Sequence, residues 1–280
     1  MIAVVLGFVV GSGMARLILL TVPDLLRAPA LLRSNHRGAN LPTAGGVVVV
    51  LSIVLVEGAR VGLGALGVGH EPGLDGTRAL VLLACVGFGL FGFLDDVLAT
   101  GEESGFGGHV RALARGRVTT GLIKLVGGGA LALVLASAPG PEARPRLLAD
   151  AAVIALAANL GNLLDRAPGR STKVGVVAWI PLLVLAGGDA FSIALAPVMG
   201  AFVAVAPDDL AERLMLGDAG ANILGAVLGL GVVLETGFAT RLVVLVVLGA
   251  LNLVSERVSF SRVIERVAFL RNIDRLGRRR

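Results

Sequence analysis

Long apolar runs alternate with short polar loops along almost the whole chain. A helix needs about 20 consecutive apolar residues to cross a bilayer, so this alternation is typical of a membrane protein with many spans. The pattern predicts an all-α fold, a polytopic membrane helical bundle of about nine to ten transmembrane helices. Nine spans can be placed, at 1–22, 44–66, 79–94, 119–138, 147–164, 174–187, 189–207, 219–235 and 240–254.

The composition supports this interpretation. Hydrophobic residues make up 55% of the 280 residues and charged residues only 16%, which is unusual for a soluble domain. The 40 glycines favour close packing between membrane helices. Cys85 is the only cysteine and lies in an apolar run, which excludes a disulfide framework within the chain.

Lysine and arginine are concentrated on one side of the predicted bundle. Of 25 such residues, 18 lie in one set of alternate loops and the C-terminal tail, whereas five lie in the opposite loops. The positive-inside rule places the richer side, and with it the C-terminus, in the cytoplasm. We therefore expect a multi-pass protein of the inner (plasma) membrane. The richer side comprises 23–43, 95–118, 165–173, 207–218 and 255–280.

The chain is expected to divide into a membrane domain at 1–254 and a basic amphipathic tail at 255–280. Arginines fill much of the tail around apolar residues at helical spacing, so we expect a helix that lies on the anionic cytoplasmic leaflet. No nucleic-acid partner is predicted, because no folded recognition module accompanies the tail. The apolar positions are Phe260, Val263, Ile264, Val267, Leu270 and Ile273.

Two adjacent carboxylates, Asp95 and Asp96, end the third predicted span. An ionised carboxylate near hydrocarbon is costly and opposes the dipole at a helix C-terminus, which favours a functional role over a simple charged helix end. Adjacent helical residues point about 100° apart, so the pair would not chelate one ion together. One could bind a metal ion or position a phosphate, while the other accepts a proton or a lysine.

Further polar residues lie on the same predicted side, which becomes the candidate cytoplasmic active site. Asn159, Asn162 and Asp165 share one broad helix face, either as a site or as contacts between helices. Lys124 could neutralise a carboxylate or a diphosphate, or snorkel to the interface. Asp218 opens a span between glycines and could be an ordinary N-cap or part of a phosphate site. Clustered carboxylates beside a lysine indicate a divalent cation and a phosphorylated substrate.

Three other features are less informative. His36 and Arg37, which precede the second span, could contact phosphate or could be interface charges. The GxGxxG sequence at 61–67 follows no predicted strand, so a dinucleotide site is excluded there. The pair Asp208 and Asp209 receives no role, because it could simply cap or solvate a loop.

Five motifs in chain order resemble the polyprenyl-phosphate N-acetylhexosamine-1-phosphate transferase family. This family includes phospho-N-acetylmuramoyl-pentapeptide transferases and N-acetylglucosamine-1-phosphate transferases. Each motif alone is weak, but five in order on a matching topology are specific. The motifs are NHRGANLPTAGG, GFLDDVLATG, GLIKLVGG, ANLGNLLDRAPG and LGDAGANILG, and the resemblance covers about 35–225.

The resemblance implies a Mg²⁺-dependent membrane enzyme of cell-envelope synthesis, including that of peptidoglycan. Such an enzyme moves a sugar-1-phosphate from a UDP-sugar to a polyprenyl phosphate and releases UMP. The matching positions imply catalytic roles for Asp95, Asp96 and Asp165, and a magnesium ligand at Asp218. The residues expected to bind substrate are Lys124, Asn159, Asn162, Arg170 and Arg37.

The chain also departs from the family pattern. The family usually follows the Asp165 position with Gly and a second Asp-Gly, whereas Arg166-Ala167-Pro168-Gly169-Arg170 stands here. The added arginines could pair with Asp165 or grip an anionic substrate, and we expect Arg170 to contact an uncommon sugar nucleotide. Ala221 replaces the usual serine, and the usual histidine-rich motif and final span are missing from this sequence.

Two other classes of function compete with the transferase. A catalytically silent relative would bind the lipid carrier or a partner in envelope assembly without needing a metal ion. An ion-coupled transporter would use the acidic residues to bind cations, but the inverted internal repeats typical of transporters are not found. The pattern leaves open whether the chain forms a homodimer.

Overall fold

The computed structural model describes residues 1–35, 37–69, 73–98, 106–138 and 146–278. A long helix lies at each of the nine predicted span positions, and shorter helices lie between and after them. In chain order the helices are α1 (Ile2–Thr21), α2 (Pro23–Leu26), α3 (Gly45–Ala65), α4 (Gly76–Leu98), α5 (Phe106–Ala114), α6 (Thr120–Ala136), α7 (Leu147–Leu164), α8 (Arg170–Ala186), α9 (Ala190–Leu210), α10 (Gly217–Glu235), α11 (Phe238–Ser255), α12 (Phe260–Arg266) and α13 (Ala268–Arg275).

Seven of the described helices, namely α1, α3, α4, α7, α9, α10 and α11, are long and apolar enough to cross a membrane. The all-α membrane bundle predicted from the sequence is therefore confirmed. Helices α6 and α8 have only 17 residues each, and the second of them contains Pro181. A total of nine to ten spans stays a prediction.

Helix α4 extends further than the apolar run that predicts it. The predicted span ends at residue 94, but the helix continues to Leu98. Asp95 and Asp96 therefore lie within the last turns of a helix rather than at its end. Their carboxylates find hydrogen-bond donors on two neighbouring helices, and this pairing allows charged residues to continue a membrane helix.

Helix α10 lies in the interior of the bundle and packs against α3, α4, α7 and α8. Fourteen of its 19 residues are buried, and most of these are glycine, alanine or small aliphatic residues. Small residues let membrane helices approach closely. By contrast, α11 has no buried residue and forms an outer face of the bundle.

Two glycines bring α10 against the helices that carry the predicted motifs. A Cβ atom at Gly92 of α4 would lie 2.4 Å from the carbonyl oxygen of Asp218. A Cβ atom at Gly161 of α7 would lie 2.3 Å from the carbonyl oxygen of Ala221. Since only glycine lets backbones approach so closely, these two contacts fix the start of α10 between α4 and α7.

A short hairpin covers the end of the bundle where α4, α7 and α9 finish and α6, α8 and α10 begin, which we call the site end. Strands β1 (Leu32–Ser34) and β2 (Asn40–Pro42) pair antiparallel, after a 3₁₀ turn at Pro29–Leu31. Arg33 Nη2 donates to the carbonyl oxygen of Val97 at 2.6 Å. The hairpin is thereby tied to the last turn of α4.

The C-terminal tail forms two short helices, whereas the sequence predicts one amphipathic helix. Val267 separates α12 from α13 with extended backbone angles, φ −91° and ψ 109°. The break turns α13 back onto the site end, where Asp274 meets Arg170 at the start of α8. The tail therefore packs against the bundle through a charged contact.

Candidate active site

The adjacent aspartates of α4 point to different helices, as their 100° separation predicts. Asp96 accepts hydrogen bonds from the backbone nitrogens of Asp218 and Ala219, both at 3.0 Å, and so caps the start of α10. Asp95 points to α6, where Thr120 Oγ1 donates to Asp95 Oδ1 at 2.6 Å. One carboxylate therefore holds the helix that carries Asp218, and the other remains available for chemistry.

Lys124 contacts three other side chains and joins them into one group, which we call the Lys124 cluster. Its members are Asp95, Lys124, Asn162 and Asp218. Lys124 Nζ donates to Asp95 Oδ2 at 3.2 Å and also donates to Asp218 Oδ2. The Asn162 amide is oriented by its neighbours, so that its nitrogen donates to Asp218 Oδ1 at 2.6 Å and its oxygen accepts from Lys124 Nζ at 2.9 Å. Residues from α4, α6, α7 and α10 thus meet at one point.

The Lys124 cluster combines two carboxylates with one ammonium group. Its side chains are only partly exposed, with 17% for Lys124, 19% for Asp95 and 30% for Asp218. Charges shielded from water interact more strongly than charges in bulk solvent. With both carboxylates ionised, the cluster has a net charge of minus one and is partly accessible, so it attracts a further cation.

The donors of this cluster fit a magnesium ion. Among the described residues, no three Asp, Glu, His or Cys side chains form a metal-binding group on their own. Mg²⁺ usually takes one or two protein carboxylates and completes its shell with water and substrate phosphate. The carboxylates of Asp95 and Asp218 and the amide oxygen of Asn162, all within contact of Lys124 Nζ, supply the hard oxygen donors that this ion prefers.

Asp165 lies directly after α7, beside the cluster rather than within it. It lines a cavity of about 320 Å³ together with Asn35, Arg166, Asp209 and Glu212. Burial raises the pKa of Asp165 well above its ordinary value, and the negative charges of Asp209 and Asp218 raise it further. This carboxyl can therefore hold a proton at a pH where an exposed aspartate would not.

Three residues expected to bind substrate do not join the cluster. Asn159 donates to Asn252 of α11 at 2.6 Å and so connects two helices. Arg170 is buried in an ion pair with Asp274 rather than open to a ligand. Arg37 lies at the tip of the hairpin, half exposed, at 3.3 Å from Glu212.

His36 lies outside the described residues, as do residues 99–101 at the end of the GFLDDVLATG motif. Asp208 contacts Arg16 and Arg213 near the surface. Asp209, to which the sequence analysis assigned no role, accepts a hydrogen bond from the backbone nitrogen of Gly169 at 2.8 Å and so holds the loop that follows Asp165.

Comparison with known proteins identifies relatives of one kind. A phospho-N-acetylmuramoyl-pentapeptide-transferase of Deinococcus radiodurans is 28% identical over 206 residues, which cover 66% of this chain and 59% of that protein. The protein of that name from Kineococcus radiotolerans is 36% identical over 90 residues, or 32% of this chain and 23% of its own length. This chain is a divergent relative of these transferases.

A third transferase of this name, from Arthrobacter sp. (strain FB24), is 29% identical over 155 residues, covering 55% of this chain and 34% of its own length. The chain thus matches less than two thirds of the length of each of these relatives. No family model matches the chain. These matches confirm the resemblance that the five sequence motifs indicated.

Thr120 also contacts the Lys124 cluster, although the sequence analysis did not single it out. It lies four residues before Lys124, so both side chains project from the same face of α6. Both donate to Asp95, one from a hydroxyl and one from an ammonium group. The signal was the helical spacing of a threonine and a lysine, which becomes meaningful only once the facing residue is known.

Proposed function

We propose that this protein is a membrane phosphoglycosyl transferase of cell-envelope synthesis. It moves a sugar-1-phosphate from a UDP-sugar to a polyprenyl phosphate and releases UMP. The observation that supports the proposal is the Lys124 cluster, since two carboxylates and a lysine at one end of a membrane bundle suit a metal-bound diphosphate beside a lipid phosphate. The similarity to phospho-N-acetylmuramoyl-pentapeptide transferases supports the same reaction class.

Asp95, Asp218 and the Asn162 amide oxygen would hold the magnesium ion. When bound, Mg²⁺ offsets the negative charge of the diphosphate and stabilises the charge that develops during phosphoryl transfer. Lys124, which donates to both carboxylates in the structure, would turn from them to the diphosphate oxygens when the ion takes these ligands. Thr120 keeps Asp95 turned toward α6 through its hydroxyl group.

Asp165 serves as the base. Burial raises the pKa of Asp165, so its ionised form is a stronger base than an exposed aspartate. It accepts the proton of the lipid phosphate, whose oxygen then bonds to the β-phosphorus of the UDP-sugar. The bond from that phosphorus to the bridging oxygen breaks, and UMP leaves with the oxygen.

The remaining predicted site residues receive other roles. Asp96 is proposed to act through Asp218, because it caps the start of α10. Arg37, half exposed at the tip of the hairpin, is proposed to contact a substrate phosphate. Asn159 and Arg170 stabilise packing through Asn252 and Asp274. The active site is proposed to face the cytoplasm, because the loops at this end carry most of the lysines and arginines.

The decisive experiment is release of UMP by the purified full-length protein. Polyprenyl phosphate, Mg²⁺ and a panel of UDP-sugars are supplied in detergent or nanodiscs. Asp218→Asn, which removes the charge with little change in volume, is expected to lower turnover at least about 100-fold, because it removes a metal ligand. Asp208→Asn is the matched control and is expected to retain wild-type turnover, since its partners lie near the surface.

One observation favours a second candidate, a catalytically silent relative that binds the lipid carrier. The loop where the family usually has Gly and Asp-Gly is held here by the tail, through Arg170. If no UDP-sugar yields UMP, while the protein still binds polyprenyl phosphate after chelation of divalent ions, the transferase proposal fails and this second candidate replaces it. Wild-type turnover of Asp218→Asn at limiting Mg²⁺ would refute the metal assignment alone.

A further inference from the structure

The C-terminal tail is attached to the bundle by a buried set of ion pairs centred on Asp274. Arg170 Nε donates to Asp274 Oδ1 at 2.8 Å and Arg170 Nη2 donates to Oδ2 at 3.0 Å, and both side chains are 5% exposed. Arg278 pairs with the same carboxylate at 2.6 Å. Lys173 Nζ donates to the backbone oxygen of Asp274 at 2.7 Å. Breaking one partner of such a buried pair is strongly destabilising, so this contact holds α13 in one position.

The same contact holds the loop that follows Asp165. Arg278 Nε donates to the carbonyl oxygen of Pro168 at 3.0 Å, while Gly169 is bound from the bundle side by Asp209. Residues 165–170 are thereby fixed on both sides, by the tail and by α9. Asp165, Arg166, Ala167 and Pro168 of this loop line the 320 Å³ cavity, so the tail determines the shape of one wall.

The opposite side of α13 is apolar and exposed. Phe269, Ile273 and Leu276 are 71%, 45% and 70% exposed, and helical spacing places them on one face, away from Asp274. Three large apolar side chains exposed together on one short helix form an apolar patch, and such patches mark surfaces that contact a partner or a membrane. Arg271 and Arg275 lie on the other side of the helix and contact Glu265 of α12, through its backbone oxygen and its carboxylate respectively, both at 2.8 Å.

An anionic bilayer surface fits this arrangement. The sequence from 255 to 280 contains eight arginines and three acidic residues. An exposed apolar face on a helix of a strongly basic tail, close after a membrane span, is the pattern of a helix that lies in the headgroup layer of an anionic membrane. The occupant of the apolar face is therefore lipid rather than a further helix of the bundle.

We propose that the tail acts as a brace for the loop at 165–170. Helix α13 binds anionic lipid through its apolar face, aided by the arginines of the tail, while Asp274 holds the loop in place through Arg170. The order of this loop then depends on the charge of the surrounding lipid. This inference does not rest on the transferase reaction, because the order of the loop can be measured without turnover.

Hydrogen exchange of the full-length protein in nanodiscs tests the proposal. Discs of phosphatidylcholine alone are compared with discs that contain phosphatidylglycerol. We expect amides of the loop and of α13 to exchange more slowly in the anionic discs. Phe269→Ser combined with Leu276→Ser removes the apolar face but leaves Asp274 in place, and it is expected to abolish the difference between the two lipids.

A second variant separates the brace from the lipid contact. Asp274→Asn is expected to speed exchange in the loop on the order of 100-fold in both lipids, because a buried arginine loses its partner. Exchange in the buried helix α10, unchanged in every variant, shows that the bundle remains folded. Equal rates of amide exchange in the wild-type loop in both lipids would overturn the proposed contact between α13 and lipid. An unchanged rate in Asp274→Asn would overturn the proposal that Asp274 holds the loop.

Discussion

The close approach of α4 and α10 at Gly92 makes a strong prediction about stability and activity. In Gly92→Ala the new Cβ would lie 2.4 Å from the Asp218 carbonyl oxygen and 2.5 Å from the Ala219 nitrogen and Cα, where 3.4 Å is ordinary contact. The obstacles are backbone atoms, which cannot rotate away. The two helices must therefore separate by about 1 Å, which weakens the Asp96 cap and widens the Lys124 cluster.

The expected magnitude follows from two opposing effects. Overpacking a well-packed contact costs about 1–3 kcal/mol, and rigid backbone neighbours place this case near the upper end. Replacing glycine by alanine within a helix returns about 1 kcal/mol. The net loss is about 2 kcal/mol, or a melting temperature lower by about 4–8 °C. A displacement of about 1 Å in a catalytic group lowers turnover by about 100-fold.

Thermal unfolding of the purified protein and UMP release measure the two effects separately. The control is Gly129→Ala on α6, where a Cβ would meet no heavy atom within 4 Å. We expect this control to keep its activity and to melt at or above the wild-type temperature. If Gly92→Ala and Gly129→Ala melt together and both retain full turnover, the contact between α4 and α10 does not position the site.

Further tests concern Asp165, the asparagines of α7 and the C-terminus. Because the folded-state pKa of Asp165 is raised above its unfolded value near 4, its contribution to stability is present in acid and is lost as pH rises. Metal-free Asp165→Asn should therefore melt above metal-free wild type at pH 8, and a difference that grows on acidification would contradict the assignment. Asn162→Ala should lower turnover strongly, whereas Asn159→Ala should lower only the free energy of unfolding, by about 1 kcal/mol. Equal losses of turnover in the two variants would show that Asn159 also belongs to the site. A reporter fused to the C-terminus should be active only as a cytoplasmic fusion, and activity of a periplasmic reporter there would reject the orientation.

Apolar periodicity was sufficient to predict the bundle, because each membrane helix must satisfy its backbone within one continuous apolar run. It was less informative about helix ends. Residues 95–98 continue α4 because Asp95 and Asp96 find partners on α6 and α10, and such partners lie far away in the sequence. The apolar run alone therefore ended the helix too early.

The site was only partly predictable for a related reason. Asn159 and Asn162 share a helix but point about 60° apart, so Asn159 contacts α11 while Asn162 contacts the Lys124 cluster. Local spacing does not reveal which neighbouring helix lies on which side. Arg170 was expected to contact substrate, but its partner, Asp274, lies in a tail about 100 residues later. Its pairing depends on the turn at Val267, which no local pattern indicated.

The pairing of Asp95 with Lys124 also bears on how the chain enters the membrane during synthesis. Helices α4 and α6 emerge from the ribosome well before α10, and their two charges lie within 3.2 Å of each other in the finished fold. A helical pair that neutralises its own charges partitions into lipid at a lower cost than either helix alone. Asp218 arrives later, as a second carboxylate for an ammonium group that is already in place. During synthesis the charge pair of Asp95 and Lys124 is therefore present first, and Asp218 completes the cluster when α10 follows.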